Sequence, residues 1–244
     1  MSWGEHPPDQ ATKEEPLPGV PLGGALLLLL VHLAVAPFVA FVLLTPVVSL
    51  LAGDDPAPLQ RGATVGAVSI VGGLLTLGAL ALFASHWSEP RRTLALVSGR
   101  LPWWVAPPLV LALAITIDLL TALAGQPVVP QQFLPLFGDG LDTVLMVAVL
   151  VLVAPPVEEL VYRGALYGGF AARWGARAAF TLTTAVFAAV HLATYGLDLF
   201  ALGQVLLLGG LLTWLRAASG SLIPALVGHL VANAYATALL LLLR

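Results

Sequence analysis

The chain contains no cysteine and very little charge. The first absence excludes disulfides, thiolate nucleophiles and cysteine-bound zinc or iron–sulfur centres. Only 9% of the 244 residues are charged, against roughly 25% in an ordinary soluble domain, whereas 59% are hydrophobic. That balance defines an all-α, polytopic membrane protein. The formal net charge of −3 leaves no basic surplus for nucleic acid. No convincing internal repeat of the kind that marks many transporters is present, which weighs against a transporter.

What is present is length in apolar runs. Residues 1–21 are polar, proline-rich and acidic (Glu5, Asp9, Glu14, Glu15) and read as a disordered tail before a membrane-embedded domain over 22–244. Seven apolar segments follow, at about 22–51, 62–85, 103–124, 141–170, 176–195, 199–215 and 222–243, each compatible with the ~20 residues of one crossing. Pro37 and Pro46 predict a kinked first helix, and Pro155 and Pro156 an interrupted fourth. Glycines 62, 66, 72, 73 and 78 of the second segment read as close-packing positions. Arg91, Arg92, Arg100, Arg173, Arg177 and Arg216 fall in alternate connections. By the positive-inside rule this puts the N-terminus in the cytoplasm, in a membrane expected to be a bacterial inner membrane.

The informative residues are those that ought not to be in a membrane. Glu158 and Glu159 are adjacent in the fourth segment, where each carboxylate costs roughly 2.5–3.5 kcal/mol on insertion scales. Successive helical residues differ by about 100°, so the two cannot face one way, whereas Glu159 and Arg163 at i,i+4 share a face. This spacing predicts that Glu159 and Arg163 hold geometry while Glu158 is the working base. His191 follows Phe187 by four residues, and His229 precedes Asn233 by four, so each pair lies on one helical face. Counted from Arg173, Arg177 and Arg216, the positions Glu158, His191 and His229 all lie about 20 Å into the membrane at ~1.5 Å per residue.

These three clusters carry a resemblance. Glu158-Glu159-x-x-x-Arg163, Phe187-x-x-x-His191 and His229-x-x-x-Asn233 resemble, in order, the three signature motifs of the CAAX-protease and bacteriocin-processing (CPBP, or Abi) family, over about 141–243. The resemblance implies an intramembrane endopeptidase with its active site in the helix bundle and a peptide or membrane-protein substrate. By motif, Glu158 would activate water, Glu159 and Arg163 would support it, His191 would help to hold the water, and His229 and Asn233 would stabilise the oxyanion. No cofactor is required by that scheme. A zinc-dependent version stays open, with Glu158, His191 and His229 as ligands of a divalent metal, as does a non-proteolytic scaffold or bacteriocin-immunity protein on the same fold.

Other designs fit less well. The His-Glu-x-x-His segment of site-2 type metalloproteases is absent. Ser219 lies in a turn some 15 Å along the axis from His229, too far for a serine–histidine dyad. Asp118 lacks the second aspartate of an aspartyl pair, Asp139 and Asp142 being in or beside an outer loop. Asp118 and His32 are therefore expected in structural or interfacial roles, Gln204 in an interhelical hydrogen bond, and Trp103 and Trp104 in an interfacial aromatic belt.

Overall fold

The structure is a computed structural model that describes residues 19–53, 58–138 and 140–244. Most of the expected tail, residues 1–18, and Asp139 lie outside the described residues. At the tail's inner boundary, Val20 is already buried against Tyr167 and Phe170.

Six helical stretches are long and apolar enough to cross a membrane: Leu22–Ala52 (α1), Gly62–Ala84 (α2), Trp103–Leu123 (α3), Leu141–Tyr195, Leu199–Ser219 (α6) and Ile223–Leu243 (α7). Among the described residues there is no strand. The 55-residue stretch is two arms, because Gly175 has φ 83° and ψ 169°, a backbone conformation open essentially to glycine. Tyr162 and Phe187 bracket that glycine, with ring centroids 5.2 Å apart. One unbroken helix would separate them by about 37 Å. The chain therefore doubles back into antiparallel arms, α4 (141–174) and α5 (176–190), so the described residues form seven helical arms, in line with the seven segments expected.

Small residues set the helix spacing. A Cβ on Gly62 would overlap the Leu136 carbonyl oxygen, and one on Gly66 would lie 2.7 Å from Leu145 Cβ. On Gly73 it would come within 2.9 Å of Val153. Glycine thus lets α2 reach α4 and its preceding loop at distances that any side chain would forbid. Gly78, grouped with these by sequence, has open space around it. Behind the site, Tyr162, Leu166, Phe187 and Leu28 form one buried cluster joining α1, α4 and α5, while Val110, Leu212, Leu215 and Ala225 join α3, α6 and α7.

The prolines act on helix register rather than by ending helices. Pro37 and Pro155 are each preceded by a wide π-helical turn, Val31–Val35 in α1 and Ala148–Val153 in α4. Such a turn accommodates a residue that lacks an N–H and crowds the preceding carbonyls. A third wide turn, Leu160–Leu166, follows the two glutamates directly.

One basic residue is not where the sequence suggested. Arg216, counted among the loop cations, is 6% exposed inside α6. Its Nε donates to the Arg163 carbonyl at 3.1 Å and its guanidinium sits 5.0 Å over the Tyr167 ring. An acceptor and an aromatic face within the bundle outcompete the loop. Beside it, the connection before α3 is tied to the α6–α7 turn, with Arg100 N donating to Ser219 O and Leu222 N to Ala95 O, each at 2.8 Å.

Candidate active site

The site is built on the middle of α4. Glu159 and Arg163 are both wholly buried, and Arg163 Nη1 donates to Glu159 Oε1 at 2.7 Å. An isolated buried guanidinium would be costly, so its remaining donors matter. Nη2 donates to the Gly209 carbonyl at 3.1 Å and Nε to Thr213 Oγ1 at 3.3 Å, both on α6. The guanidinium carbon lies 4.1 Å from the centre of the Phe187 ring, a cation–π contact strengthened by exclusion of water.

Glu159 also receives α7. His229 Nδ1 lies 2.8 Å from Glu159 Oε1, and since a carboxylate accepts, the ring nitrogen carries the proton there. That fixes the ring and turns Nε2 towards Glu158, whose Oε2 is 3.8 Å away. The second oxygen of Glu159 has no hydrogen-bond partner among the described residues.

Glu158 faces the other way, as the 100° step requires. Its side chain is 21% exposed and lines a cavity of about 490 Å³ together with His32, His191, Tyr195, His229 and Asn233. Most of the remaining wall is apolar, from Val149, Leu150, Val153, Val157, Phe133 and Leu208 among others. His191, at the end of α5, places Nδ1 2.7 Å from the Phe187 carbonyl, so Nε2 is its free nitrogen. Phe187 is the common neighbour, 4.6 Å from the His191 ring and 6.1 Å from the His229 ring between centroids. Asn233 donates from Nδ2 to the Leu150 carbonyl at 2.8 Å. An amide nitrogen has two N–H groups, so one remains for a ligand.

The six motif residues are thus gathered around one depth of the bundle, in two layers. Glu158, His191, His229 and Asn233 line the cavity, and Glu159 and Arg163 sit behind its wall. Among the described residues no three His, Asp or Glu side chains converge as metal ligands would. Glu158, His191 and His229 therefore do not fit a metal in this arrangement.

Several residues at the site were not assigned by sequence. His32, expected in a structural or interfacial role, lines the cavity from the wide turn of α1 and meets Tyr162 edge-on at 5.9 Å; Pro37, five residues on, is the sequence signal for that turn. Gly209 and Thr213 form a small-x-x-x-small pair on α6, a readable sign of close packing. Tyr195 carries no comparable signal. Of the other polar residues, Asp118 accepts from Tyr235 Oη at 2.7 Å, and Gln204 makes an interhelical bond to Thr121 Oγ1 at 3.1 Å. Ser219 Oγ bonds the Leu215 and Ser221 carbonyls, not His229.

Fold and site together define an integral membrane protein with a buried glutamate–arginine pair and a carboxylate–imidazole cavity. Residues 140–235 match the Rce1-like family, described as type II CAAX prenyl endopeptidase Rce1-like. That segment runs from the start of α4 to Tyr235 and contains all three motifs, so it is CAAX-protease-like, as the motifs read. No curated protein and no solved structure matches the chain.

Proposed function

We propose that the protein is an intramembrane endopeptidase that hydrolyses a peptide bond with water activated by Glu158. The observation that supports this reading is the division between the adjacent glutamates: Glu159 is held by Arg163 and His229, while Glu158 is left on the cavity wall. A water oxygen about 2.8 Å from both Glu158 Oε2 and His229 Nε2 spans their 3.8 Å gap with ordinary hydrogen-bond lengths. Glu158 takes the proton as that water attacks the carbonyl and returns it to the leaving amine. His191 Nε2 helps to hold the water. The spare Asn233 N–H meets the charge that develops on the carbonyl oxygen, and His229 joins it when Nε2 as well as Nδ1 carries a proton. Arg163 and Glu159 fix His229 and so act at one remove. The domain over 22–244 lies in a bacterial-type inner membrane with a cytoplasmic N-terminus, and its substrate is a peptide or membrane protein.

The test compares protein termini in membranes from cells that carry wild type or Glu158→Gln. A set of new termini present only with the wild type is the expected result. Identical termini would remove the protease reading in favour of a scaffold or immunity protein. Adding a chelator to purified protein that cleaves separates mechanisms, because glutamate-activated hydrolysis persists and a metallo-endopeptidase stops.

A further inference from the structure

A second cavity, about 180 Å³, adjoins the first. Asn233, Tyr195, Pro130, Val205, Leu208 and Ala236 line both. Its far wall is formed by α3 and carries Asp118, with Gln204 and Tyr235 beside it and aliphatic side chains around them. Among the described residues no basic side chain lines it. Asp118 is half-buried and its Oδ2 accepts from the Tyr235 hydroxyl. A carboxylate within a membrane ordinarily has a cationic partner or serves a pathway. Here the described wall carries no cation, and the carboxylate lines an open cavity.

We propose that this cavity is a substrate subsite that takes a basic side chain, lysine or arginine, next to the scissile bond, with Asp118 as its counter-charge and the aliphatic wall covering its methylenes. The proposal rests on the protease reading for the words "scissile bond" but not for the binding itself. Its position follows from α7. Tyr235, which holds Asp118, is two residues beyond Asn233, a rise of about 3 Å along the helix. An extended peptide advances about 3.3 Å per residue, so a carbonyl at Asn233 puts a flanking side chain at the level of Asp118. The aliphatic stem of a lysine or arginine suits such a pocket because it packs on apolar surface while its head reaches a polar partner.

The probes are capped, apolar ten-residue peptides with a central lysine, norleucine or glutamate, acetylated and amidated so that no terminal charge competes. Binding is measured on full-length Glu158→Gln protein in detergent micelles, where hydrolysis does not interfere. The lysine peptide should bind about tenfold more tightly than the norleucine peptide, the scale of a desolvated charge pair, and the glutamate peptide most weakly. Adding Asp118→Asn keeps an acceptor for Tyr235, so the wall stays closed, and should erase the lysine preference; adding Tyr235→Phe leaves the carboxylate and should keep it. Equal affinity for lysine and norleucine, or a preference that survives Asp118→Asn, overturns the subsite. Wild type then separates the two claims. Selective binding without cleavage sinks the protease and leaves the subsite, whereas cleavage without selectivity does the reverse.

Discussion

Arg163→Leu probes the centre of the molecule. The substitution removes the Glu159 ion pair, the donor to Gly209 O, the donor to Thr213 and the cation on Phe187. Gly209 O is not stranded, because Thr213 Oγ1 also donates to it at 2.7 Å. The damage falls on Glu159, left as a wholly buried carboxylate with only His229. Stranding one member of a buried pair costs about 3–5 kcal/mol. At about 2–4 °C per kcal/mol for a chain of this size, the midpoint of thermal unfolding should fall by roughly 6–20 °C. Removing both members behaves differently. In Glu159→Leu with Arg163→Leu no buried charge remains, and the main loss is an acceptor for His229 Nδ1, about 1–3 kcal/mol. The double variant should therefore unfold at a higher temperature than Arg163→Leu alone, with both lacking activity. Intrinsic tryptophan fluorescence during heating in micelles measures this. A double variant as unstable as the single one would refute the claim that uncompensated charge sets the cost.

Glu158→Gln makes no comparable demand, since Glu158 stands on the cavity wall; its unfolding free energy should stay within about 0.5 kcal/mol of wild type while hydrolysis is lost. Gly175→Ala meets no neighbouring atom within 4 Å, so its cost, about 1–3 kcal/mol, is backbone strain at φ 83°. Gly203→Ala, equally free of neighbours but inside α6, should instead gain up to about 1 kcal/mol, and the two Tm values should move in opposite directions. Gly62→Ala drives a Cβ into the Leu136 carbonyl and should lose roughly 1–3 kcal/mol, read in the same unfolding assay.

The seven helical arms were legible because hydrophobic length is a strong constraint, and the order of the glutamates on α4 because helical periodicity fixes relative facing. Arg216 was misread because a cation three residues from a helix end looks like a loop residue until its neighbours are known. What sequence could not supply was partner identity across helices, and the wide turns show why. In α4 the Ala154 N–H reaches back to Val149 O, which sets Leu150 O opposite Pro155, a residue with no N–H. Asn233 of α7 supplies the donor at 2.8 Å. One wide turn later the pattern repeats: the Tyr167 N–H goes to Tyr162 O, and the next carbonyl, that of Arg163, accepts from Arg216 of α6. Both wide turns of α4 are thus stitched to a neighbouring helix by a side chain that completes their hydrogen bonding. These two stitches lie eight residues before Glu158 and five after it. They hold the α4 segment bearing both glutamates at a fixed rotation, so that Glu158 meets the cavity and Glu159 meets Arg163. The proline was visible in the sequence; the asparagine that answers it, 83 residues after the Leu150 carbonyl it bonds, becomes visible only once α7 is packed against α4.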